Sequence, residues 1–243
     1  NAEVKVVTSI KPIHSLVSYI MDGVGKPDVI VDGYNSPHGF SLKPSHAKML
    51  ENADLVIWVG EDLEAFLEKP LKTITKKAIN IELLDLKRIN KLEFREKNIF
   101  EEHDEHKEHD DHKEHDEHKE HDDHKEKDAH EGHNHGEHDP HVWLDPINAK
   151  IIVKEITKEL IKLDSKNSSV YKSNSKKALA DIDKLIKSIR KDLNKDLRFV
   201  VFHDAYQYYE NRFGIQVLGA LTVNTDVMPG AEQLSEIREV IEH

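Results

Sequence analysis

An α/β fold of two lobes joined by a long helix is the architecture that this 243-residue sequence predicts. Three observations carry the expectation. Short apolar runs rich in Val and Ile alternate with helix-periodic segments, which is the βαβ rhythm of a parallel sheet. A helical pattern from about Ser168 to Asn194 is long enough to serve as a spine between lobes. Beyond it the alternation of strand and helix resumes, so a second α/β lobe begins there.

The first lobe opens with a buried strand at Val4 to Ile10, followed by an apolar-periodic helix from Ile13 to Met21 that stops near Gly23 and Gly25. Val29 to Val31 is the second strand. Ser45 is placed to cap a helix through Glu51, and Leu55 to Val59 forms the next strand. A short helix over Asp62 to Glu68 and a strand over Ala78 to Leu83 complete this run. Further on, Asp145 stands before Pro146, an N-cap followed by proline at the first helical position, which predicts a helix from Pro146 to about Leu163. In the spine, Ala178, Ile182, Leu185, Ile189 and Leu193 recur at helical spacing. The second lobe then offers a strand at Phe199 to Phe202, a helix from Asp204 to Phe213 and a strand at Ile215 to Leu218. A helix from Ala231 to Glu242 follows Pro229 and Gly230. Two strands make a poor independent sheet, so the C-terminal lobe is expected to be incomplete in this chain.

One segment departs from this pattern. Between Glu101 and Asp139 lie twelve of the eighteen histidines, and Glu102 to Lys113 reads EHDEHKEHDDHK, a unit that Glu114 to Lys125 repeats. With Ala129 as its only apolar side chain, the segment cannot offset the roughly 1–2 kcal/mol per residue that ordering a backbone costs, so it is expected to be disordered. It carries a charge of -13 against -12 for the whole chain, so the remainder is close to neutral. The domain organisation follows as 1–166 for the first lobe with its insert at 101–139, 167–195 for the linker helix and 196–243 for the second lobe.

Composition excludes several classes. No basic patch stands out, so a nucleic-acid partner is not expected. There is no cysteine, which removes disulfides and thiolate zinc sites and leaves imidazole, carboxylate and water as metal ligands. No apolar run approaches the ~20 residues of a membrane span.

Imidazole and carboxylate together point to a divalent metal. Twelve histidines, His103, His106, His109, His112, His115, His118, His121, His124, His130, His133, His135 and His138, give the insert an auxiliary, low-affinity capacity for it. Outside the insert, His38 follows a strand, His141 precedes the helix at Pro146 and His203 directly follows a strand. In open parallel α/β folds ligands gather at the C-terminal ends of strands, and three imidazoles with water or a carboxylate complete a four-coordinate zinc site. His14 and His46 fall in or at the start of helices and are expected to be structural, as Trp58 and Trp143 are expected to be core aromatics.

SIKPIHSLV at 9–17, SPHGFSLKPSHAKMLENADLVIWVGEDLEAFL at 36–67, HVWLDP at 141–146, VFHDAYQYYENRFG at 201–214 and PGAEQLSEIREV at 229–240 together resemble the zinc-binding components of ABC importers. This is the ZnuA-type group within the cluster of metal-binding solute receptors. The resemblance implies two lobes, each a parallel sheet flanked by helices, joined by one rigid helix. It further implies that His38, His141 and His203 hold Zn(II) in the cleft, and that the ion passes to the membrane permease of an ABC importer. It implies a monomer in the periplasm whose signal peptide has been removed, and no catalysis. Manganese receptors of the same cluster typically carry a carboxylate at the position of His203, and imidazole suits zinc better. A fourth ligand is left unassigned. A manganese receptor and a zinc hydrolase are the alternatives; the chain has no HExxH motif, and Asp204 and Glu61 are the acidic residues a hydrolase would draw on.

Overall fold

The computed structural model describes residues 3–95, 138–196, 198–222, 230, 234–235 and 237–239. Of the insert, only His138 and Asp139 fall within them. The other histidines assigned to auxiliary metal binding lie outside the described residues, as does most of the helix expected over 231–242.

The first sheet has four parallel strands in the order β2-β1-β3-β4. These are β1 (Val6–Ile10), β2 (Asp28–Val31), β3 (Leu55–Trp58) and β4 (Ile79–Glu82). β1 and β3 are buried at every position, because a central parallel strand is covered on both faces. α1 (Lys11–Met21) turns Ile13, Val17, Ile20 and Met21 into the same core. α2 (Pro44–Glu51) starts at Pro44 and not after a Ser45 cap: the proline occupies the first turn, and His46 Nδ1 accepts the Lys43 backbone N–H at 3.1 Å.

α3 (Glu61–Thr73) runs past the expected stop at Glu68, through Pro70, because Leu67 and Leu71 bury on its inner face and outweigh the bond that proline removes. Its N-cap is Gly60 at φ 153°, where a β-carbon would come within 2.8 Å of Leu84 Cδ1. Only glycine fits that turn without strain.

α4 (Pro146–Leu163) begins as its sequence predicts, with the Asp145 carboxylate accepting the Ile147 N–H at 2.8 Å. A short 3-10 turn at Ser165–Asn167 leads into α5 (Ser168–Asp192), which packs along α1 and α4. Its buried residues include Tyr171, Ala178 and Ile186, whereas Leu185, expected on the inner stripe, is 54% exposed. Toward the end of α5 the buried position is Ile186 in place of Leu185, one step further round the helix.

The second lobe comprises β5 (Phe199–His203), α6 (Gln207–Phe213) and β6 (Val217–Thr222), with β5 and β6 parallel. α6 is not capped by Asp204, which is engaged elsewhere, and it ends at Gly214 in the left-handed conformation. β6 starts two residues later and ends four later than expected, because Gly219 and Ala220 pair with β5 and continue the ladder.

Candidate metal centre

Three elements each deliver one histidine to a common point. His38 lies in the loop after β2, its N–H held by Ser36 Oγ at 3.2 Å. His141 immediately precedes a 3-10 turn, Val142–Leu144, that leads into α4, and His203 is the last residue of β5. Potential ligand atoms of the three all lie within 4.8 Å of one another. Ring centroids are separated by 5.8 Å between His38 and His141, 5.2 Å between His38 and His203, and 5.1 Å between His141 and His203.

The Nε2 atoms of His141 and His203 are 3.2 Å apart. Two nitrogens of a tetrahedral zinc with bonds of about 2.0–2.1 Å stand roughly 3.3 Å apart, so this pair already has the spacing that zinc requires. His141 is buried, and the other two rings are half-buried. The cluster forms one wall of a cleft of about 480 Å³ that Ile10, Pro12, Val31, Leu63 and Trp143 also line. A largely apolar lining with a few convergent polar groups, here three imidazoles, is the usual make-up of a small-ligand site.

His141 is oriented by a buried carboxylate. Asp139 Oδ1 accepts its Nδ1–H at 2.6 Å and its backbone N–H at 3.0 Å, which leaves the Nε2 lone pair directed at the cleft. Tyr208 in turn donates its hydroxyl to the Asp139 carbonyl at 2.6 Å and accepts the Leu92 N–H at 3.0 Å. Trp143, expected in the core, is partly buried against it and also lies 5.4 Å from the His141 ring.

The neighbouring charges are paired. Arg95 donates to both oxygens of Asp204, at 3.2 and 2.8 Å, and to both of Glu210, at 3.0 and 2.7 Å. Burial pushes the Asp204 carboxyl up from its ordinary value, against the lowering effect of Arg95. Arg212 grips Asp145 through two bonds of 2.7 and 2.6 Å. Asp204 is thus committed to a guanidinium, and Glu61 lines a different cavity beside β4. Neither is poised as a general base at the histidines.

His14 Nε2 sits 3.1 Å from the Pro27 carbonyl oxygen, and His46 serves the start of α2, so neither belongs to the cluster. Sequence reasoning passed over Asp139, Arg95, Tyr208 and Arg212. Only Asp139 left a local signal, an acid two residues before His141 across a proline.

Comparison with known proteins identifies the family. A family model described as ZnuA, zinc-uptake complex component A, periplasmic, matches residues 6–243. The high-affinity zinc uptake system protein ZnuA of Brucella abortus (strain 2308) is 47% identical over 242 residues, covering 97% of this chain and 72% of that protein. The protein of the same name from Yersinia pestis is 37% identical, covering 100% of this chain and 73% of its own length. The solved structure of the periplasmic zinc-binding protein TroA from Treponema pallidum shares the fold, with a TM-score of 0.74 at 20% identity over 99% of this chain and 74% of that one. The match of a single family model to nearly the whole chain, together with relatives of this identity, places the chain in the ZnuA family of periplasmic zinc-uptake components.

Proposed function

We propose that the chain is a high-affinity zinc receptor that captures Zn(II) through His38, His141 and His203 and hands it to the membrane permease of an ABC importer. The convergence of the three imidazoles to within 4.8 Å on one wall of an apolar cleft carries the reading. The family is one of periplasmic metal receptors and not of enzymes, and the ion is cargo on which no chemistry is performed. An all-nitrogen set of side chains favours zinc over manganese, which prefers oxygen. Among the described residues no helix is long and apolar enough to cross a membrane.

Competitive titration with a chelator tests the site. His38→Ala, His141→Ala and His203→Ala should each weaken the tightest Zn(II) affinity by more than about 100-fold, exceeding what changes behind the ligands cost. Mn(II) should compete poorly against the unaltered protein. Retention of the tight affinity in the triple variant would end this reading and leave a metal buffer in its place.

The His-rich insert is proposed to collect or buffer zinc for the cleft, raising its local concentration next to His141. Twelve histidines at three or four per ion amount to about three or four weak sites. Because Asp139 orients His141, the informative deletion is 101–137 and not the whole insert. It should remove the weak sites and keep the tight one; an unchanged zinc stoichiometry would refute a collecting role.

A further inference from the structure

We propose that Arg95 is a positioning residue for His203, and thereby sets zinc affinity without being a ligand. The inference rests on the metal-site reading above and adds to it a residue 108 positions away in sequence, on the stretch that leads into the insert.

His203 ends β5, a strand whose flanks are little buried: Phe199 is 38% and Phe202 is 56% exposed. Among the described residues its paired neighbour is β6, with His203 opposite Thr222. The next residue is held by further bonds. The Asp204 N–H bonds to the Thr222 carbonyl at 3.2 Å, and its carboxylate takes a two-pronged bond from Arg95. The same guanidinium makes a second two-pronged bond to Glu210 on α6. One planar cation thus clamps the residue after His203 and the helix behind it. The three side chains are only 19%, 6% and 10% exposed, so the geometry is shielded from water and salt.

Arg95 is itself anchored to the other half of the site. An antiparallel bridge joins Glu93 to His138, and the Asp139 N–H bonds to the Leu92 carbonyl at 2.8 Å. Asp139 is the carboxylate that orients His141. A continuous path of bonded groups therefore runs from His141 through Asp139, the 92–95 segment, Arg95 and Asp204 to His203. The Gln207 amide, bonded to the Glu93 carbonyl at 3.2 Å, and Tyr208 brace the path from α6. The 3.2 Å separation of the two Nε2 atoms is what this path would maintain before any ion arrives. A lysine keeps the charge but lacks the fork needed to hold two carboxylates at once.

The test uses the full chain and Zn(II) itself, with Co(II) as a spectroscopic reporter. Arg95→Lys, with far-UV circular dichroism and zinc-free melting temperature close to those of the parent, should bind Zn(II) about 10- to 100-fold more weakly. Its Co(II) complex should show a weaker visible band than the parent, as the tetrahedral arrangement loosens. In a His203→Ala background the same change should alter affinity by no more than about twofold, because its route to the metal is gone. Where Arg95→Lys fails to fold, the isosteric Asp204→Asn takes its place with the same expectations.

Unchanged affinity and Co(II) spectrum in Arg95→Lys would overturn the inference, as would an equal loss in both backgrounds, which marks a general effect on stability. If His203→Ala itself leaves the tight affinity intact, the metal-site reading falls first and takes this one with it.

Discussion

The first sheet and the β5–β6 pair each present a histidine at the end of a strand or in the loop beyond it, yet they hold it by different physics. Behind His38 and His141 stand β1 and β3, buried at every position, and helices whose apolar faces close over them. Behind His203 stands a strand with two exposed phenylalanines, and its lobe meets the first through Arg95, Arg212 and the buried Tyr208. Close packing fixes a backbone through many small contacts, and no single one is critical. A pair of guanidinium clamps fixes it through a few directional bonds, each of which can be removed by one substitution. Among the described residues, packed strands thus stand behind the first lobe and a guanidinium clamp holds the residue after His203.

The comparison is tested most severely in the core. Ile57→Ala in β3, at a fully buried position, should cost about 2–5 kcal/mol in urea unfolding, whereas Val201→Ala in the half-buried β5 should cost well under that. Equal losses would mean that the second lobe is packed as firmly as the first.

The next effect concerns a cost that the first lobe carries. Glu64 is fully buried and accepts the Val59 and Gly60 N–H groups, each at 3.0 Å. Burial pushes its carboxyl from an ordinary 4.5 up to about 7 even against those bonds. A folded-state value above the unfolded one means that protonation favours folding. The stability contribution is complete below about 4.5 and is lost as pH rises through about 7. The loss amounts to about 3 kcal/mol. Glu82, also raised to about 7 chiefly by burial, acts with the same sign, so the difference between the parent and Glu64→Gln is the quantity to measure. Stability of the variant should fall less between pH 5 and 7, on the order of that amount; parallel curves would remove Glu64 from the account.

The smallest expected effect lies where the two regions join. Asp145 caps α4 and receives Arg212 from α6. Asp145→Ala should lower stability by about 1–2 kcal/mol, and Asp145→Asn, which keeps the cap, by about half of that, since Arg212 is partly exposed. Equal costs for the two variants would show that the clamp outweighs the cap.

Legibility in the sequence follows the same division. β1, β3 and the start of α4 can be read directly, because runs such as LVIW and the Asp-Pro pair express local preferences that tertiary structure leaves in force. The extension of α3 through Pro70, the shift from Leu185 to Ile186 and the later β6 depend on what lies across from them, which no local window contains. At the site, the three histidines are visible as strand-end residues. Their neighbours are not: Arg95 and Asp204 are 109 positions apart, and nothing near either one announces the other. Asp204 reads locally as a helix cap until a distant guanidinium claims it.

The bridge between Glu93 and His138 has a consequence for how such a chain can change over time. Glu93, eight residues before the insert, meets His138 near its end, so the sequence between is bracketed by one bridge. For any flexible loop, a doubling of length costs only about 0.6 kcal/mol in closure entropy. Each copy of the twelve-residue unit carries four histidines, so a change of one copy would alter the insert's histidine number in steps of four.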